Sequence, residues 1–244
     1  SKSGVPQNGR DGEWIIYFPS GNVNAKYTYV DGTFDQDRLE WYDNGNKKIE
    51  EHYVNGAPDG HRLEWYENGQ KKLKEVYEDG VKDGNMFAWN KNGKKKYHYF
   101  YVKGEKNHTW SAWWSNGNPK IEGNFKENIK DGQFSFWYEN GQKKHHYFYV
   151  KGKKYHTWTV WWSNGNTKIE GNFKKSVKDG QFTLWYENGQ KKLDCFFADG
   201  VKDGDWIAWH NNGQKKRHYF HDAGEKDQTW TVWWASGNTK IEGN

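Results

Sequence analysis

Runs in which large apolar and polar residues alternate recur along this chain, and glycine breaks each of them. Gln133-Phe134-Ser135-Phe136-Trp137-Tyr138 and His145-His146-Tyr147-Phe148-Tyr149 are representative. Alternation of this kind, in residues of high β-propensity, predicts half-buried strands. No stretch between glycines is long enough for a helix. Between the two runs lies Glu139-Asn140-Gly141-Gln142. Asn-Gly between strand formers predicts a two-residue type I′ hairpin turn, with positive φ at both central residues. A second connection follows, as at Asp199-Gly200.

The pattern is periodic. Gly21, Gly45, Gly69, Gly93, Gly117, Gly141, Gly165, Gly189, Gly213 and Gly237 stand 24 residues apart, the mark of a repeat architecture. With this glycine as position 0, position −4 is aromatic in all ten copies, from Tyr17 and Trp41 to Trp233. Position +3 is lysine in nine of ten, and position +8 is aromatic in eight of nine. Position −9 is glycine in six copies, with Gln36, His108, His156 and Gln228 in the others. Side chains on a strand point alternately to its two faces. The −4 rings are therefore expected to stack as a spine along one face and to form the core.

These readings predict an all-β fold. Residues 1–244 form a single repeat array of about ten antiparallel hairpins, making a long twisted or coiled sheet. Residues 5 to 244 span ten whole periods. The last strand could therefore pair with the first segment, closing the array or joining molecules end to end, because open strand edges are liabilities that proteins usually cover.

The unit Asp-Gly-x-Phe-x-x-Trp-Tyr-x-Asn-Gly-x-x-Lys, present at Asp131 to Lys144 and Asp179 to Lys192, resembles the MORN repeat in its bacterial variant form. The resemblance runs through nearly the whole chain. It implies a long antiparallel ribbon of stacked hairpins, used for scaffolding, self-association or lipid contact, and it brings no catalytic residues.

Three copies carry a text of their own: Thr109-Trp110-Ser111-Ala112-Trp113-Trp114, Thr157-Trp158-Thr159-Val160-Trp161-Trp162 and Thr229-Trp230-Thr231-Val232-Trp233-Trp234. Each follows a strand rich in aromatics. Rings then load both faces of the sheet, although a one-sided sheet needs only one apolar face. Either both faces are core, or the rings wall grooves for a flat or extended ligand, or they form a self-association surface. Gly123 and Gly171, beside these tryptophans, would leave room for a ligand against a ring. The candidate ligand-binding residues are Trp110, Trp114, Trp158, Trp162, Trp230 and Trp234, with Tyr99, Tyr147 and Tyr219 on neighbouring strands.

Composition narrows the chemistry. Aromatic content is 19% against 33% hydrophobic overall, so the apolar mass is concentrated in rings and disorder is disfavoured. The net charge of +5 is mild, and nucleic acid is an unlikely partner. The lysines at +3 form a row along the ribbon, expected to be a solvated flank. Cys195 is the only cysteine, which excludes an internal disulfide framework. No apolar stretch approaches a membrane span, and no targeting signal is visible, which leaves a cytoplasmic or mature secreted chain open. His145 and His146 are adjacent and point to opposite faces. His98, His146 and His218 lie at least two repeats apart, too far for one metal ion. No nucleophile elbow or phosphate-binding loop is present.

The expected function is non-enzymatic, multivalent binding that requires no cofactor. The ligand is a glycan if the rings are exposed. It is an elongated apolar molecule, a lipid or polyene pigment, if they line a covered groove. The rival expectation is a structural or scaffold protein that self-assembles as a homo-oligomer through its aromatic faces or strand edges.

Overall fold

The computed structural model describes residues 11–243, without the side chains of residues 227 and 228. The described elements are twenty-one β-strands and no helix. No helix long and apolar enough to cross a membrane is therefore present among them. The chain divides into two compact units, one running to residue 117 and including 125–128, the other comprising 118–124 and the chain from 129 onward.

In the first unit β1 (Gly12–Tyr17), β2 (Val23–Val30), β3 (Thr33–Trp41), β4 (Lys47–Val54), β5 (Ala57–Trp65) and β6 (Lys71–Glu78) pair antiparallel in chain order. The short β7 (Val81–Lys82) and β8 (Gly84–Trp89) both pair with β6, and β9 (Lys95–Val102) and β10 (Glu105–Trp113) follow. Strand β11 (Pro119–Lys126) has residues in both units. The second unit continues through β12 (Ile129–Trp137), β13 (Lys143–Val150), β14 (Lys153–Trp161), β15 (Thr167–Lys174) and β16 (Val177–Trp185). It ends with β17 (Lys191–Ala198), β18 (Val201–Trp209), β19 (Lys215–Asp222), β20 (Glu225–Trp233) and β21 (Thr239–Gly243). Within each unit the pairing runs linearly, and neither unit closes into a barrel. The expected pairing of the chain ends involves residues 1–10 and 244, which lie outside the described residues.

Two turn types alternate, and the Asn-Gly turn is not the one expected. Gly141 donates its N–H to Tyr138 O at 3.0 Å, and Tyr138 N–H donates to Gln142 O at 2.9 Å. Gly141 has φ of 87°, whereas Asn140 is not among the residues with positive φ. This is a three-residue loop, a type I turn closed by a left-handed glycine. The type I′ turn sits at the other connection, where Asp199 and Gly200 have φ of 44° and 87° and Ala198 pairs directly with Val201.

The asparagine has a different task. Its side-chain oxygen accepts the N–H two residues on, as Asn188 does from Gln190 at 3.0 Å, and its Nδ2 donates to the next repeat's turn, at Asn211 O, 3.1 Å away. Position −3 adds a second staple. Tyr42, Tyr66, Tyr138 and Tyr186 donate their hydroxyls to the carbonyl of the −4 residue one repeat on, at 2.8 to 3.0 Å.

The −4 spine is not the core. These indoles are half-buried, and Tyr17 is 57% exposed. A register shift between −5 and −4 recurs in nine hairpins around the repeat glycine, as at Phe136/Trp137 and Leu184/Trp185. Strand alternation puts −4 on the face opposite −5 and −7. Lysines at +2 lie beside the next repeat's −4 ring, Lys143 at 5.9 Å from Trp161 and Lys191 at 5.7 Å from Trp209. The buried side chains occupy −7, −5, +6 and +8: Phe134, Phe182, Val160, Cys195 and Phe197 in the second unit. There Trp158, Phe173, Phe182, Phe197, Trp206 and His221 form one chain of tilted to edge-on contacts, with centroids 5.3 to 5.6 Å apart. Each such contact is worth about 0.5–1.5 kcal/mol beyond its buried area.

The first unit places ions at the equivalent positions. Glu40, Glu51 and Glu75 are 7%, 4% and 4% exposed. Arg38 bridges Glu40 and Glu51 at 2.5 and 3.1 Å, and Arg62 bridges Glu51 and Glu64 at 2.7 and 2.5 Å. Lys82 closes the series on Glu75 at 2.5 Å. Burial raises the Glu40 carboxyl, but hydrogen bonds and charge from Arg38 and Lys48 outweigh it and hold its pKa below the ordinary value.

Candidate functional site

The −7 residue of one repeat lies beside the +6 residue of the repeat before it, because the strands that carry them pair through a bulge at −9. In the tryptophan-rich copies this juxtaposes an indole and a phenol. Trp110 stacks on Tyr99 with centroids 5.9 Å apart at 13°, and Trp158 stacks on Tyr147 at 5.9 Å and 15°. Phe125 and Phe173 meet the far side of each indole at 5.8 and 5.6 Å. The first cluster lies wholly in the first unit and the second wholly in the second. The third copy repeats the register, Tyr219 opposite Trp230.

A lysine at position −11 lies over each cluster. Lys106 Nζ is 4.9 Å from the Tyr99 centroid, and Lys154 is 4.9 Å from Tyr147 and 5.5 Å from Trp158. Lys226 is 4.1 Å from Tyr219 and 5.0 Å from Trp230. The backbones of Lys106 and Lys154 are fixed as well: their N–H groups donate to Asn128 Oδ1 at 2.8 Å and Ser176 Oγ at 2.9 Å. Asn128 and Ser176 hold positive φ of 63° and 70° at a turn position that other copies give to glycine.

Sequence reasoning passed over this lysine. Position −11 is lysine in seven consecutive copies, Lys82 to Lys226, and the 24-residue period was sufficient to find it. The +3 row, expected to be a solvated flank, is exposed or half-exposed throughout and also lies beside the −3 rings. Lys144 and Lys192 lie 5.3 and 5.5 Å from Tyr138 and Tyr186, and Lys168 and Lys240 lie 4.0 and 4.1 Å from Trp162 and Trp234.

The nine candidate residues therefore separate. Trp110, Trp158 and Trp230 join Tyr99, Tyr147 and Tyr219 in Tyr–Trp–Lys clusters on the buried-residue face, where Trp158 also packs against Phe182, Cys195 and Phe197. Trp114, Trp162 and Trp234 sit at the turn end, in the place of the stapling tyrosine. Trp162 Nε1 donates to Trp185 O at 3.4 Å, and Trp234 is 53% exposed. The room expected at Gly123 and Gly171 does not exist. A Cβ at either would collide with the ring of Phe134 or Phe182, which fill the space and are 0% and 2% exposed.

His108 and His156, at the bulge of these copies, hold φ of 56° and 59°. Each covers a phenylalanine at +7, Phe100 at 5.2 Å and Phe148 at 5.1 Å. Burial raises the Tyr99 and Tyr147 phenols, and the adjacent indoles draw them partly back. Burial, with Lys144, Lys168 and Lys154 nearby, lowers His145, which stacks on Tyr147 at 5.6 Å. The described residues include no group of three or more His, Cys, Asp or Glu side chains able to hold a metal ion. An indentation of the first unit, lined by Asn22, Val23, Lys26, Trp41, Asp43 and Asn44, lies away from these rings and gathers no convergent chemistry.

No curated protein matches the chain. Among solved structures, a chain of the TcdB2-TccC3-Cdc42 crystal structure is 11% identical, with 91% of this chain and 13% of that one covered, at a TM-score of 0.22. A chain of the TcdB2-TccC3-TEV crystal structure gives 9%, 90%, 14% and 0.23, and one of the Photorhabdus luminescens Tc holotoxin pore gives 10%, 94%, 16% and 0.24. The chain spans less than a fifth of the length of these matches, and none is close enough to establish a shared fold. The family model described as the MORN repeat variant matches residues 10–31, 37–55, 58–79, 130–151 and 178–199. Five copies of the 24-residue hairpin unit are thus MORN-variant repeats, in register with the period that runs through the rest of the described chain.

Proposed function

We propose that this chain is a non-enzymatic, multivalent carbohydrate-binding protein, whose contact surface is the face carrying the Tyr–Trp–Lys clusters. One observation carries the reading. The same stacked pair, with the same lysine above it and the same ring behind it, is built twice, around Trp110 and around Trp158. The half-exposed clusters present ring edges with an ammonium donor at their rim, a mixed apolar and polar surface that suits a sugar. Ammonium groups over the rings disfavour the elongated apolar ligand, which would have to leave them without water or counter-charge.

The test is a glycan array probed with the full chain, followed by titration of any ligand found against Trp110→Phe and Trp158→Phe. Phenylalanine keeps an apolar ring in the packed site while removing the indole. Affinity is expected to fall at least fivefold with the melting temperature changed by no more than a few degrees. An array without signal, together with a particle size that grows with concentration, would move the reading to self-assembly. A visible absorption band in the purified protein would return it to a pigment.

A further inference from the structure

The five lysines at −11 in the second unit, Lys130, Lys154, Lys178, Lys202 and Lys226, open alternate strands β12, β14, β16, β18 and β20. Successive members are two strands apart, about 9.6 Å at ordinary strand spacing. Each lies over rings: Lys130 5.2 Å from Phe134 and 5.1 Å from Tyr149, Lys178 5.3 Å from Phe182 and 4.6 Å from Phe197, Lys202 4.8 Å from Trp206. Among the described residues, none of the five is ion-paired to a carboxylate. The first unit shows the contrast at the same position, where Lys82 lies 5.9 Å from the Tyr77 ring and is also paired with Glu75 at 2.5 Å. Glu75 is the +6 residue of the repeat before. In the second unit +6 is Gly123, Tyr147, Gly171, Cys195 or Tyr219, so the partner carboxylate is missing from the chain itself.

From this contrast we infer that the second unit binds a linear acidic polysaccharide, each −11 lysine pairing with a carboxylate that does for it what Glu75 does for Lys82. The inference rests on the carbohydrate-binding face proposed above and adds the charge of its ligand. The spacing adds a length. One cation per two strands matches a polymer that carries one acid group per two sugars. A polymer with an acid on every sugar would leave alternate charges unpaired over aromatic rings.

The experiment is calorimetric titration of the full chain with hyaluronan, which bears one carboxylate per disaccharide. The comparison ligands are carboxyl-reduced hyaluronan, polygalacturonate and poly-dT. The variant is Lys154→Gln/Lys178→Gln/Lys202→Gln, and Trp158→Phe is measured in parallel. Hyaluronan is expected to bind, more weakly as salt rises. The reduced polymer and the triple variant should each lose at least tenfold, and the variant should keep its strand circular dichroism and melting temperature. Equal binding of the reduced polymer would overturn the inference while leaving the ring-based reading intact. Loss on the lysine changes with none on Trp158→Phe would do the reverse. Tighter binding of polygalacturonate would overturn the spacing, and tighter binding of poly-dT the polymer class. No binding by any polymer would sink both.

Discussion

At Gly171 a missing side chain is the condition for a neighbour's position. The Phe182 ring lies where a Cβ would be, so Gly171→Ala forces ring or backbone to move, at about 2 kcal/mol. Phe182→Leu in the same background should recover part of that loss. The urea midpoints of the two single variants and the double variant check it, and simple additivity would refute the coupling. Cys195 presents the opposite case, a side chain sealed in. It is 2% exposed, and burial pushes its thiol up to about 11. A thiol reagent should therefore modify the native chain at the rate of unfolding only; fast modification at pH 8 would contradict the packing. Neither detail was legible in the sequence. The pattern identified Gly123 and Gly171 as distinctive, but only the register across two strands shows that the space is already taken.

The hairpin as an element was far more legible than its packing. Alternation and glycine spacing anticipated the strands, and Asn-Gly marked a true turn. It missed the turn type because the asparagine acts between hairpins as much as within one. Asn188→Ala removes both its turn bond and its bond to Asn211 O. It should cost about 2 kcal/mol, against about 1 kcal/mol for Tyr186→Phe, which removes one staple. Hydrogen exchange at residues 209–213 should rise in both. The −4 rings misled for a related reason. Their invariance reflects a shared scaffold, whereas burial belongs to −7 and +6, which vary together. The ion series in the first unit is the clearest example. Arg38→Met leaves buried Glu40 with Lys48 alone and Glu51 with Arg62 alone, a loss of about 3 kcal/mol. Replacing Arg38, Glu40 and Glu51 together with apolar residues of similar volume should restore stability. If the triple variant is weaker than the single one, the ions are net stabilising.

Over the whole molecule the titrating groups point to a stability plateau with two shoulders. His98, His145 and His146 are lowered below 6.5, chiefly by burial. The unfolded chain therefore binds more protons below that value, and stability should fall as pH drops through it. Glu40 lies below 4.5 when folded, so its contribution is complete above 4.5 and is lost as pH falls through the folded value. Cys195, raised from 9.0 to about 11, works at the other end: stability contributed below 9.0 is lost as pH rises toward 11. Urea midpoints should be flat between roughly pH 7 and 9 and decline on both sides. The alkaline decline should be shallower in Cys195→Ala, and an unchanged slope would exclude that thiol as its source.

Because each +6 residue fits one −7 residue in the repeat that follows, Gly171 with Phe182 or Glu51 with Arg62, the copies are not interchangeable beads. Order along the chain is written into side-chain size and charge. A repeat moved by recombination would carry half of one matching pair at each junction. The array can therefore lengthen or shorten without penalty only in blocks whose ends already match.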